Sequence, residues 1–149
     1  MAKKPLPEII TMRLPSRLEL LSVLDSVTTS ICDRMGFDPD TTSHISMSVI
    51  EAGTNAIQHG HKRDAARMVD VEFRLWDDRL EVEVHDSGKG FDPKSLNGDA
   101  TAPEHLFDAR GRGIFIMRSC MDAVNFEFDT QGTHVLLMKR LPQAAQAGA

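Results

Sequence analysis

Cysteine is scarce in this chain, and the two residues present, Cys32 and Cys120, lie far apart and form no C-x-x-C pair. That spacing excludes a disulfide framework, and no His–Cys cluster has zinc-ligand spacing, so the expectation is two buried, reduced thiols. Long apolar runs are missing too: nothing approaches the roughly 20 consecutive residues that a membrane-spanning helix needs. The basic start, Met1 to Pro7, runs into no apolar stretch with a small-residue cleavage site, so it does not read as a secretion signal. A cytoplasmic protein with no membrane contact is expected. Positive charge is in deficit, with 17 Lys+Arg against 22 Asp+Glu, a formal net charge of −5 and a pI near 5.6. Direct nucleic-acid binding is therefore not expected, because it normally needs a basic patch. Neither G-x-x-x-x-G-K-[ST] nor G-x-G-x-x-G occurs, which removes the two commonest nucleotide-binding loops.

What is present suits a globular protein. With 149 residues, 41% of them hydrophobic, and a mean hydropathy of −0.25, the chain can bury a core as one domain. No repeat or linker divides it, so residues 1–149 are expected to form a single unit. Residues 8–14 read as a strand. Ser16 and Glu19 form a capping box before an apolar stripe through Leu18, Leu21, Val23, Leu24, Val27, Ile31 and Met35, which Gly36 ends. Asp38 and Pro39 then start a second helix, expected to run to about His59 and to close at Gly60. Two alternating runs, 69–76 and 79–85, predict an antiparallel hairpin. Residues 87–112 lack a period, a third helix is predicted from Gly113, and strands follow at 123–128 and 134–139. The fold class is α+β, helices layered on a mixed, mostly antiparallel sheet, with residues 142–149 a fraying tail.

The second helix carries the first chemical signal. At about 100° per residue, Glu51 and Asn55 stack within about 40° of each other, with Ser48 and Gln58 beside them. Ile45, Val49, Ile50, Ala56 and Ile57 fall on the other side. Taken alone, the pair also fits a solvated helix face. A functional reading needs the pair to meet something else: a hard divalent cation taking its oxygen ligands, with Glu51 a general base. Further on, D-S-G-K-G-F (86–91) places Asp86 at a strand end, able to accept from an exocyclic amine, with Gly88 and Gly90 admitting a close ligand. Gly111 and Gly113, with Arg110 and Arg112 beside them, stand before the third helix, where free N–H groups and guanidinium groups suit phosphate. Gly132 and Thr133 open the last strand with a hydroxyl. Each motif alone also fits an ordinary turn or helix start.

Their order is more telling. E-A-G-T-N-A-I-Q-H-G, then D-S-G-K-G-F, then G-R-G-I-F-I-M, then G-T before a last strand resembles the GHKL ATPases over about residues 8–140. Within that superfamily the chain is most similar to the stand-alone bacterial anti-sigma-factor serine kinases of the RsbW type. The resemblance implies a Bergerat fold, a two-layer sandwich binding ATP under a lid, here about Asp92 to Arg112. By the same resemblance, Asn55 would coordinate Mg²⁺, Asp86 and Thr133 would read adenine, and Gly88 and Gly90 would shape the adenine end. Arg110, Gly111, Arg112 and Gly113 would close on the phosphates. Glu51 would be the general base of a protein-serine/threonine kinase acting on an anti-anti-sigma (STAS) protein, with a sigma factor as second partner and a homodimer as the assembly. His59, inside the helix motif, is expected to pack or cap that helix end. Two other functions fit the same motifs: a non-catalytic ATP-binding regulator that sequesters a partner, and a histidine-kinase-like catalytic domain. The presence of Glu51 argues against the first, and the lack of an H-[DE]-x-x-x-P phosphoacceptor pattern against the second.

Overall fold

A computed structural model describes residues 5–88 and 109–142. The elements follow the predicted order: β1 (Glu8–Pro15), α1 (Leu21–Met35), α2 (Pro39–Asn55), β2 (Met68–Leu75), β3 (Arg79–Asp86), α3 (Ala109–Cys120), β4 (Ala123–Asp129) and β5 (Gly132–Arg140). The strands form one sheet in the order β1-β2-β3-β5-β4, antiparallel at every pairing among the described residues. No described helix is long and apolar enough to cross a membrane.

Alternation along the strands makes the sheet two-faced. Val69, Val71 and Phe73 of β2, Leu80, Val82 and Val84 of β3, and Val135 and Leu137 of β5 all point inward and are buried. The helices close that face with Leu24, Ile31, Ile45, Val49, Ile57, Ile114 and Met117. Each fully buried aliphatic or aromatic side chain contributes about 1.5–3 kcal/mol, so this single core is the main force holding helices to sheet. The opposite face is charged, with Arg74 lying between Glu72, Glu81 and Glu83.

Local signals fix most helix ends. Asp38 caps α2: the Thr41 N–H donates to Asp38 Oδ1 at 2.8 Å and the Thr41 hydroxyl to Oδ2 at 2.9 Å, with Pro39 at the first helical position. These bonds hold the exposed Asp38 carboxyl below its ordinary range. Gly36, left-handed at φ 90°, closes α1 as the N–H of Phe37 reaches back to Cys32 O at 3.1 Å, a Schellman closure. Burial pushes the Cys32 thiol up to about 12, so it is the inert, reduced residue expected. Cys120 is likewise free, though only half-buried.

Three expectations change. The Ser16–Glu19 capping box does not form. A 3₁₀ turn, Leu18–Leu20, leads into α1 without a side-chain cap, Glu19 pairs with Arg17 at 2.8 Å, and Ser16 turns inward to His61. Water can satisfy an exposed helix N–H but does not reach the buried Nδ1 of His61, so the serine goes where its bond is worth more. Secondly, α2 is regular only to Asn55. Residues Ala56–Gly60 form a wider π turn, in which the His61 N–H donates to Ala56 O at 2.8 Å. Thirdly, α3 begins at Ala109, not Gly113. Gly111, Arg112 and Gly113 thus lie inside its first turns, and the last four residues of the predicted lid, 109–112, are helical. The rest of that lid, 92–108, lies outside the described residues, as do Gly90 and residues 143–149 of the tail.

Candidate nucleotide site

Helix α3 packs across the face of α2 that periodicity marked as polar. Asn55 is only 8% exposed and Ser48 is fully buried, its hydroxyl donating to His44 O at 2.9 Å. A purely solvated face is thereby ruled out. Gly113 lies close against this face: a Cβ there would stand 2.7 Å from Glu51 Oε2 and 3.6 Å from Asn55 Nδ2. A side chain there would push the Glu51 carboxylate aside, while the distance to Asn55 is ordinary contact, so the glycine keeps Glu51 in its present place.

Desolvation beneath α3 raises the Glu51 pKa above its ordinary value, and the nearby positive charge of Arg112 partly opposes this. A carboxylate shifted toward neutrality is a better proton acceptor at physiological pH than an exposed one. The Asn55 Nδ2 atom is buried with no hydrogen-bond partner among the described residues. A buried polar atom left unpaired costs about 1–3 kcal/mol, a cost that a bound polar ligand removes.

The second half of the site is built where β3 and β5 end. Asp86 and Thr133 are directly paired across the ladder, both facing the core and both buried. Asp86 Oδ1 accepts from the Gly88 N–H at 2.9 Å, and the buried Thr133 hydroxyl has no partner among the described residues. The π turn at the end of α2 is pressed against this pair. A Cβ on Gly60 would fall 2.5 Å from the Asp86 carboxyl carbon, and a Cβ on Gly88 would overlap the Gly60 carbonyl. These glycines let two backbones cross beside the aspartate.

Of the residues selected from sequence, Glu51, Asn55, Arg112 and Gly113 are brought together, as are Asp86, Gly88 and Thr133, with α2 running between the two groups. Gly111 is buried in α3, and the backbone of Arg110 lies one residue before it in the helix. His59 lies in the π turn, near the helix end it was expected to finish. Sequence reasoning missed Gly60 and His61. The signal available was the extension of the helix motif to H-G-H at 59–61, but it names no partner.

Two clusters of orphaned or constrained polar groups, spanned by one helix and lined by glycine backbone, fit a ligand with a polar ring at one end and oxyanions at the other. Residues 14–139 match the family model described as "Histidine kinase-like ATPase domain". The chain is 33% identical over 139 residues to the serine-protein kinase RsbW of Bacillus licheniformis, covering 90% of this chain and 86% of the relative. It is 32% identical over 139 residues to the RsbW of Bacillus subtilis strain 168, with the same shares covered. Among solved structures, the RsbU and RsbW domains of a Mycobacterium tuberculosis protein superpose with a TM-score of 0.66 at 16% identity, over 90% of this chain and 32% of that one. The histidine kinase domain of the Erythrobacter litoralis EL346 blue-light-activated histidine kinase gives 0.57 at 21%, over 97% of this chain and 68% of that one. These two likenesses bear on the fold. The chain belongs to the histidine kinase-like ATPase family, within its group of RsbW-type serine-protein kinases.

Proposed function

We propose that this serine-protein kinase transfers the γ-phosphoryl group of Mg-ATP to a serine of an anti-anti-sigma STAS protein, and that it holds a sigma factor when that partner is phosphorylated. The observation that carries the reading is Glu51 beneath α3, a half-buried carboxylate of raised pKa within reach of Gly113 and Arg112. Glu51 would accept the proton of the incoming serine hydroxyl. Arg112, with Arg110 and the unpaired N–H groups of the first turn of α3 around Gly111, would face the phosphates; the earlier helix start takes the Gly113 N–H into the helical ladder. Asn55 offers an amide oxygen to Mg²⁺, which when bound neutralises phosphate charge. Asp86 would accept from the adenine amine, Thr133 would support it, and Gly88 with Gly90 would bound the adenine end. Phosphoryl transfer needs positioning and charge more than covalent help, and a base, cationic side chains and a helix edge supply both. A homodimer in the cytoplasm completes the proposal.

The test is incubation of the chain with radiolabelled ATP and the STAS proteins of its own genome. Label on a serine of one STAS protein, absent with Glu51→Gln, is the expected result. ATP binding without any transfer would make the chain a passive regulator instead.

A further inference from the structure

One buried titratable group is used by none of these roles. His61 is 2% exposed and sits directly behind the Asp86–Gly88 turn. Its Nε2 accepts from the Ser87 N–H at 2.8 Å and lies 3.0 Å from Ser87 Oγ. On the other side, Nδ1 stands 2.6 Å from Ser16 Oγ. Because a backbone N–H can only donate, Nε2 must carry a lone pair, so the proton resides on Nδ1 and is donated to Ser16. Ser16 is anchored in turn, its own N–H donating to Arg67 O at 3.0 Å. The imidazole thus ties three separated segments together: the end of β1, the π turn after α2, and the strand end that carries Asp86.

We propose that neutral, Nδ1-protonated His61 is a positioning residue of the nucleotide site, holding Ser87 so that Asp86 and Gly88 keep the geometry that reads adenine. This rests on the nucleotide reading above and extends it to a side chain behind the site. Charge on the ring would turn Nε2 into a donor aimed at the Ser87 N–H and break the hold. The surroundings favour the neutral form: burial lowers the His61 pKa, Arg67 and His85 act in the same direction, and Asp86 and Asp64 oppose it.

Two amide substitutions separate the two nitrogens. In His61→Gln the amide oxygen can reach the Nε2 position and accept from the Ser87 N–H. In His61→Asn the shorter amide reaches only the Nδ1 position, keeping Ser16 and releasing Ser87. Calorimetric titration of the full chain with Mg-ATP and with Mg-GTP is expected to show near-native affinity for His61→Gln. For His61→Asn it should show a loss of about five- to tenfold for Mg-ATP, with a narrowed preference over Mg-GTP. A residue that merely fills space would cost the two variants alike and leave the base preference untouched. Equal losses, or native affinity in both, would overturn the proposal. Nitrogen-15 NMR of the ring in the native protein needs no variant. A lone pair on Nε2 at neutral pH is expected, and an Nε2-protonated or charged ring would also overturn it. If the native protein binds no Mg-ATP while the ring shows the expected tautomer, the nucleotide reading itself is what fails, and this inference falls with it.

Discussion

At the scale of single residues, Glu51 shows how function and stability pull apart. Its folded pKa is raised by burial, with Arg112 only partly compensating. A carboxyl with a raised folded pKa favours its protonated form on folding. The penalty for charging it is therefore absent at low pH, appears as pH rises through the unfolded value, and is complete above the folded one. At neutral pH the native protein carries that penalty. Glu51→Gln should then leave the melting temperature unchanged or higher at pH 7, preserve ATP binding, and lower phosphotransfer by about 10²–10⁴-fold. Thermal melts and a kinase assay on the same preparation check both arms, and retained transfer would remove Glu51 from the base role. The same residue marks what sequence can and cannot disclose. Glu51, Asn55 and Asp86 could be selected from sequence because the order of their motifs resembles that of a known family, whereas local spacing alone left a solvated helix face and an ordinary turn open. His61 could not be, because its partners Ser16 and Ser87 are 45 and 26 residues away and no local pattern announces them. Ser16 misleads for the same reason: its neighbours spell a helix cap, and a distant buried ring outbids them.

Among the elements, α3 departs furthest from the pattern, starting four residues earlier than predicted. Two glycines in three residues read as a helix breaker, since each costs about 1 kcal/mol relative to alanine inside a helix. That cost is offset because Ile114 and Met117 are buried against the core and because Gly113 lets α3 settle on α2. The hairpin of β2 and β3 needed no such correction, since alternation is itself the packing pattern. The glycines of the site differ in what would move if each were enlarged. At Gly113 the obstruction is the tip of the Glu51 side chain, which can swing aside. Gly113→Ala is thus expected to keep or gain up to about 1 kcal/mol of stability from helix propensity, yet to lose phosphotransfer by displacing the base. At Gly88 the obstruction is the Gly60 backbone, which cannot yield without shifting the end of α2. Gly88→Ala should therefore lower both stability and Mg-ATP affinity. Denaturant melts set beside titration calorimetry distinguish the two, and a stable, ATP-binding Gly88→Ala protein would count against close backbone crossing there.

Across the whole molecule, the site joins elements that otherwise touch mainly through the core. Asn55 comes from α2, Arg112 and Gly113 from α3, Asp86 from β3 and Thr133 from β5, so a nucleotide would bridge the helical layer to one end of the sheet. A ligand that binds only the folded state stabilises it by RT ln(1 + [L]/Kd), about 2.7 kcal/mol at a hundredfold excess over Kd. For a domain of this size that corresponds to a rise in melting temperature of roughly 5–10 °C. Removing a contact at either end of the ligand should shrink this rise for distinct reasons. Asn55→Ala should reduce it for ATP and GTP alike and make it insensitive to Mg²⁺, because the amide would serve the metal. Asp86→Asn should reduce it for ATP more than for GTP, because adenine presents its 6-amine to the carboxylate where guanine has a carbonyl oxygen, which only accepts. In the ligand-free protein the two changes also diverge. Asn55→Ala deletes a buried amide whose Nδ2 has no partner among the described residues, and so should cost little. Asp86→Asn disturbs the carboxylate that accepts from Gly88, and so should lower the baseline melt. A nucleotide-by-nucleotide melting series on the three proteins, with and without Mg²⁺, reads all of these at once. If both variants lose the same fraction of the shift with every nucleotide, the division into a phosphate end and an adenine end is wrong.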